Sequence, residues 1–91
     1  MTLILDGEAI RSEADFHAAA RAASGVDWYG GNLDALFDLL VGVIAPPIEI
    51  VWTDAAVSRA AIGARFDRLL TVILDAQAYI GTAKLAFTLK G

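Results

Sequence analysis

The feature that most constrains this chain is its alternation of short β-branched runs with alanine-rich helical stretches. Thr2 to Leu5, closed by the Asp6-Gly7 turn signal, Ile48 to Trp52, and Lys84 to Leu89 read as three strands. Between the first two, Ser12 stands three residues ahead of Asp15 in a capping-box-like start, which predicts a helix over 13–24 stopped by Ser24-Gly25. Asn32 is a natural cap for a second helix running to about Ile44, and Pro46-Pro47 ends it. Beyond the middle strand, Thr53 or Asp54 caps a short helix to Ile62, and Gly63 breaks it. A longer helix from Arg65 to Tyr79 follows, with Phe66, Leu69, Leu70 and Ile73 along one face and Gly81 closing it. Helices between successive strands imply parallel pairing. The fold class is therefore α/β, a three-stranded parallel sheet packed with about four helices, in a single domain over 1–91. The apolar middle run, interrupted only by Glu49, predicts a strand buried on both faces. The Pro46-Pro47 bond is expected to be trans, the default for X-Pro.

Composition limits what such a layer can do. Much of the 57% hydrophobic share is alanine, which fills helices without demanding burial, and no apolar run approaches the ~20 residues of a spanning helix. With no basic and apolar leader either, the expected setting is the cytoplasm, away from any membrane. The absence of cysteine excludes disulfides, thiolate metal sites and thiol catalysis together. A net charge of -4 argues against nucleic acid as a direct ligand, because phosphate binding rests on Lys and Arg. From Ala22 to Ser58 there is no Lys or Arg at all, yet Asp27, Asp34, Asp38, Glu49 and Asp54 fall there. That window should present uncompensated negative potential, which suits a cationic partner.

The core of the window is Asp27-Trp28-Tyr29-Gly30-Gly31-Asn32-Leu33-Asp34-Ala35-Leu36-Phe37-Asp38. On a helical wheel Leu33, Leu36, Phe37, Leu40 and Ile44 form one apolar band, while Asp34 and Asp38 lie within about 40° of each other on the open side. Like charges at this spacing cost roughly 0.2–0.5 kcal/mol, so Asp38 in particular does not serve helix stability. Val41 falls about 20° from Asp34 in angle, beside the two aspartates, and predicts an apolar residue on the same open face. Trp28 and Tyr29 either dock onto the protein's own core or form a rigid aromatic rim, beside glycines that let a partner approach the backbone. A phosphate-cradling use of Gly30-Gly31 conflicts with the three neighbouring aspartates.

The stretch Tyr29-Gly30-Gly31-Asn32-Leu33-Asp34-Ala35-Leu36-Phe37-Asp38 resembles the signature of the barstar family, intracellular inhibitors of barnase-type ribonucleases. Asp6-Gly7-Glu8, Ile10-Arg11-Ser12, the pair Asp15 and His17, Pro47 and Trp52 fall in family order, so the resemblance covers essentially the whole length. It implies a parallel three-stranded sheet with helices packed on it. It also implies occlusion of a basic nuclease cleft by carboxylates standing in for RNA phosphate, with no catalysis by the inhibitor. Asp38 matches the carboxylate that enters the phosphate site, Asp34 the second acid of that helix, and Asp75 an acid on the long helix. Trp28 and Tyr29 match paired aromatics, and Asn32, Leu33, Ala35 and Gly42 match further contact positions beside Gly30. The implied partner is a barnase-like ribonuclease met by a monomer, without cofactor or metal. Gly31, Ala45 and Tyr79 stand where the archetype has acids and Val43 where it has an aromatic, which thins the negative footprint.

Two other classes of function compete with this reading. Asp34 and Asp38 could hold a divalent cation or do acid–base work, but the sequence offers no third ligand at recognisable spacing and no nucleophile paired with a base. An interaction domain for a basic partner other than a nuclease fits the same charge pattern. His17, the only histidine, reads as structural, and Arg59, Arg65 and Arg68 read as surface charges, with pairing to Asp67 or Asp75 open to them.

Overall fold

The computed structural model describes residues 1–91. Its elements run β1 (Thr2–Asp6), α1 (Glu13–Ser24), α2 (Leu33–Asp38) continued by a π-helical turn (Leu39–Val43), β2 (Ile48–Thr53), α3 (Ala55–Ile62), α4 (Ala64–Ile80) and β3 (Leu85–Leu89). The strands lie in the order β1-β2-β3 and both pairings are parallel, with Leu3 opposite Ile50 and Ile50 opposite Phe87. The α/β class and the three-stranded parallel sheet are as the sequence predicts.

The sheet buries one face, not two. Leu3, Leu5, Ile48, Ile50 and Trp52 point into the core, while Ile4 and Glu49 on the opposite face are exposed. The expectation of a doubly buried middle strand is thus corrected, and Glu49 between Ile48 and Ile50 carried the signal of alternation. Trp52 sits fully buried between Phe16 of α1 and Phe66 of α4, with ring centroids 5.0 Å away on either side. Its indole N–H donates to Ser58 Oγ at 3.1 Å, and Ser58 donates onward to the Gly7 carbonyl at 2.9 Å. Gly7 is required there, because a Cβ would lie 2.2 Å from the carbonyl oxygens of Thr53 and Asp54.

Two local expectations are not met. Neither Thr53 nor Asp54 caps α3 with its side chain; Asp54 adopts a left-handed conformation at φ 49°. The first amides of α3 donate instead to the carbonyls of Lys90 and Gly91, at 2.9 and 2.8 Å, so the two residues after β3 satisfy orphan N–H groups a side chain would have taken. The Pro46-Pro47 bond is cis, not the default trans.

Glu13 ties α1 to α4. Its Oε1 accepts from Arg65 Nε at 2.7 Å, and its Oε2 meets His17 Nε2 at 3.0 Å. Burial raises the carboxyl pKa, but the hydrogen bonds with His17 and Arg65 and the two positive charges more than reverse this, leaving it below the usual glutamate value. A depressed folded-state pKa stabilises the protein above the unfolded value, and that contribution is lost as pH falls through the folded value. Glu13→Gln is therefore expected to melt lower than wild type at neutral pH and to converge with it as pH falls through the depressed folded-state value, as thermal unfolding across pH would measure. Ser58→Ala strands both the Trp52 N–H and the Gly7 carbonyl in a dry core, and is expected to cost about 1–3 kcal/mol in urea unfolding.

Candidate functional site

The loop between α1 and α2 is held from below by α1. Arg21 donates through Nη2 to the Tyr29 carbonyl oxygen at 2.8 Å, and its guanidinium lies 5.7 Å from the Tyr29 ring centroid. The Tyr29 ring is 4% exposed, with its hydroxyl 2.6 Å from His17 Nδ1. An ionised Glu13 only accepts, so His17 Nε2 carries the proton toward it. In the neutral ring Nδ1 then accepts, and the Tyr29 hydroxyl donates. Burial pushes the phenol up to about 12, outweighing the lowering by Arg21, with the Glu13 charge adding a smaller rise. The donor therefore keeps its proton at neutral pH. Gly31 turns at φ 72°, and a Cβ there would meet Arg21 Nη2 at 3.2 Å.

The aromatic pair thus divides. Tyr29 docks onto the core, whereas Trp28 is 70% exposed. Around Trp28 a notch of about 100 Å³ opens, walled by Tyr29, Gly30, Ala35, Asp38 and Val43. Tyr29 reaches this notch only as part of its wall.

Asn32 starts α2 from an extended conformation, and its Oδ1 accepts from Ala35 N at 2.8 Å, as its sequence position predicts. Asp34 and Asp38 are both exposed and neither forms an ion pair, since the chain's three pairs are Glu13–His17, Glu13–Arg65 and Arg59–Asp67. Asp75 is likewise exposed and unpaired on α4, one turn before Tyr79. Leu33 and Ala35 are half-buried, while Gly30 and Gly42 are exposed. No group of three or more His, Asp or Glu side chains is placed to hold a metal ion. No helix is long and apolar enough to cross a membrane.

The predicted single helix to Ile44 ends its α-helical part at Asp38. The Ile44 amide reaches back to the Leu39 carbonyl at 3.0 Å, an i→i−5 bond that inserts an extra residue into the turn. A uniform 3.6-residue period places Leu39 off the apolar band, yet it is 2% exposed. Val41, expected on the open face beside the aspartates, is half-buried against the core, and Val43 emerges at the notch. The sequence reading also missed Arg21, whose only signal is its place as the last cation before the window that lacks them.

The acids of that window separate in space. Asp27, Asp34 and Asp38 stay with the loop and α2, whereas Glu49 lies on the open sheet face beside Thr2 and Asp54 at the end of β2. The candidate site is a compact acidic face next to an aromatic notch.

A Bacillus subtilis (strain 168) protein named "Putative ribonuclease inhibitor YrdF" is 41% identical over 51 residues, a stretch covering 56% of this chain and 56% of that relative. The family description Barstar (barnase inhibitor) matches residues 1–90. The chain belongs to the barstar family.

Proposed function

We propose that residues 1–91 act as one domain that inhibits a barnase-like ribonuclease, with Asp38 and Asp34 entering the basic cleft where RNA phosphates bind. One observation carries the reading: two exposed carboxylates on one face of α2 lack any cation of their own chain, in a stretch without Lys or Arg. A nuclease cleft that stabilises phosphate with Arg, Lys and His supplies the missing charges, and desolvation on docking strengthens each pair. Trp28 offers rigid contact area beside Asp38 at little entropy cost. Asn32, Leu33, Ala35 and Gly42 flank the acids, and Asp75 adds charge from α4. The protein performs no catalysis in this reading, needs no metal, and works as a free monomer in the cytoplasm.

Inhibition assays against a panel of small secreted bacterial ribonucleases test the proposal. Truncating one partner of a buried charge pair costs about 2–5 kcal/mol, a range informed by barnase complexes themselves. Asp38→Ala is expected to lose inhibition on that scale while its melting temperature stays close to wild type; equal loss of both assigns the residue a structural role. The association rate is expected to fall steeply between about 0.01 and about 1 M salt, since screening shortens the range of steering. A salt-independent on-rate in stopped-flow mixing removes electrostatic attraction from the mechanism.

A further inference from the structure

Two large aromatic side chains stand mostly in solvent, Trp28 at 70% and Tyr79 at 71% exposure. Only the first is part of the site described so far. Their positions relative to α2 are opposed. Trp28 shares the notch with Ala35 and Asp38, and Ala35 lies about 100° from Asp34 around the helix. Tyr79 leans on Phe37, with ring centroids 5.8 Å apart, and Phe37 lies about 60° from Asp34 in the other sense. The two aspartates sit between. On α4, Tyr79 follows Asp75 by one turn, so the ring and that carboxylate share the helix edge that borders α2.

Resting on the inhibitory reading above, we infer that Tyr79 is a second aromatic anchor for the ribonuclease, gripping the rim of the basic cleft on the side opposite Trp28. The occupant is fixed by continuity and charge. Tyr79 belongs to the same surface as Asp75, Phe37 and Asp38, so a basic cleft that receives the carboxylates brings its rim over the ring. A tyrosine there offers a face to apolar groups and to arginine or lysine alike, which is why such residues dominate interface energetics. Apart from its contact with Phe37, the ring has little to do for folding, because most of its surface remains in water.

The test uses a catalytically inactive variant of whichever panel ribonuclease the wild-type protein inhibits, with binding followed by stopped-flow and calorimetry at about 0.05 and about 0.5 M salt. Tyr79→Ala is expected to weaken binding about tenfold, mainly through faster dissociation, by the same factor at both salts. Tyr79→Phe is expected to bind like wild type, because the ring carries the contact. Asp38→Ala is expected to lose most of its effect on association at the higher salt. Unchanged binding by Tyr79→Ala, with Asp38→Ala still defective, overturns the anchor and leaves the inhibitory reading standing. A fall in melting temperature that matches the loss of binding makes Tyr79 a cover for Phe37 and overturns the anchor as well. Absence of inhibition by wild type across the panel overturns the inhibitory reading, and this inference with it.

Discussion

The Tyr29 side chain is the point on which the candidate site depends. Its ring is packed away from water, and a buried phenol or carbonyl left without a partner costs about 1–3 kcal/mol. Both of its polar ends are met from α1, the hydroxyl by His17 and the main-chain carbonyl by Arg21. With Tyr29 committed inward, the neighbouring Trp28 is left in solvent, and Gly31 can make its left-handed turn under the same guanidinium. The chain then enters α2 with Asn32 already in capping geometry. Glu13 extends this arrangement through His17 to Arg65, so the loop is referenced to α4 as well as to α1.

The one-sided sheet decides where the acids go. Burial of alternate residues in β2 sends Glu49 to the open face and leaves Asp54 at the strand's end, apart from α2. What remains around α2 is a smaller but better focused charge, set by Asp27, Asp34 and Asp38, with Asp75 contributed by the neighbouring α4. Arg21 is the nearest cation in sequence, yet it is taken up by Tyr29 and forms no ion pair with these aspartates. The face therefore keeps its potential for an outside partner.

Most of the architecture is legible in the sequence because local signals and burial agree. Ser12 and Gly25 bound α1 where the capping pattern puts them, and Gly63 and Gly81 bound α4. The failures come where tertiary structure supplies what a local rule assigns to a side chain. The carbonyls of Lys90 and Gly91 cap α3, a contact between segments more than thirty residues apart that no window around Asp54 contains. The π turn defeats a fixed helical period, which is why Leu39 and Val41 are found inward of their expected places. Within the candidate site, Asn32 caps α2 and Asp34 and Asp38 face solvent as the local pattern predicts, whereas the exposure of Trp28 is a matter the sequence leaves open. The inward turn of Tyr29 depends on His17 and Arg21 a helix away, and spacing alone does not encode it.

Helix α2 is a poor helix by its own chemistry. It has six residues, two like charges one turn apart, and no cation in its last turn to complement the dipole. It persists because Leu36, Leu39, Leu40 and Ile44 are buried on the other side, and burying each such side chain contributes about 1.5–3 kcal/mol, well above the repulsion between the aspartates. Stability and the proposed binding thus draw on opposite faces of one segment. The apolar face and the Tyr29 clamp hold the carboxylates in place before any partner arrives, so docking need not order the segment first. Charges held without a counter-ion are unfavourable for the isolated protein, and in the proposed reading a basic cleft relieves that penalty on contact.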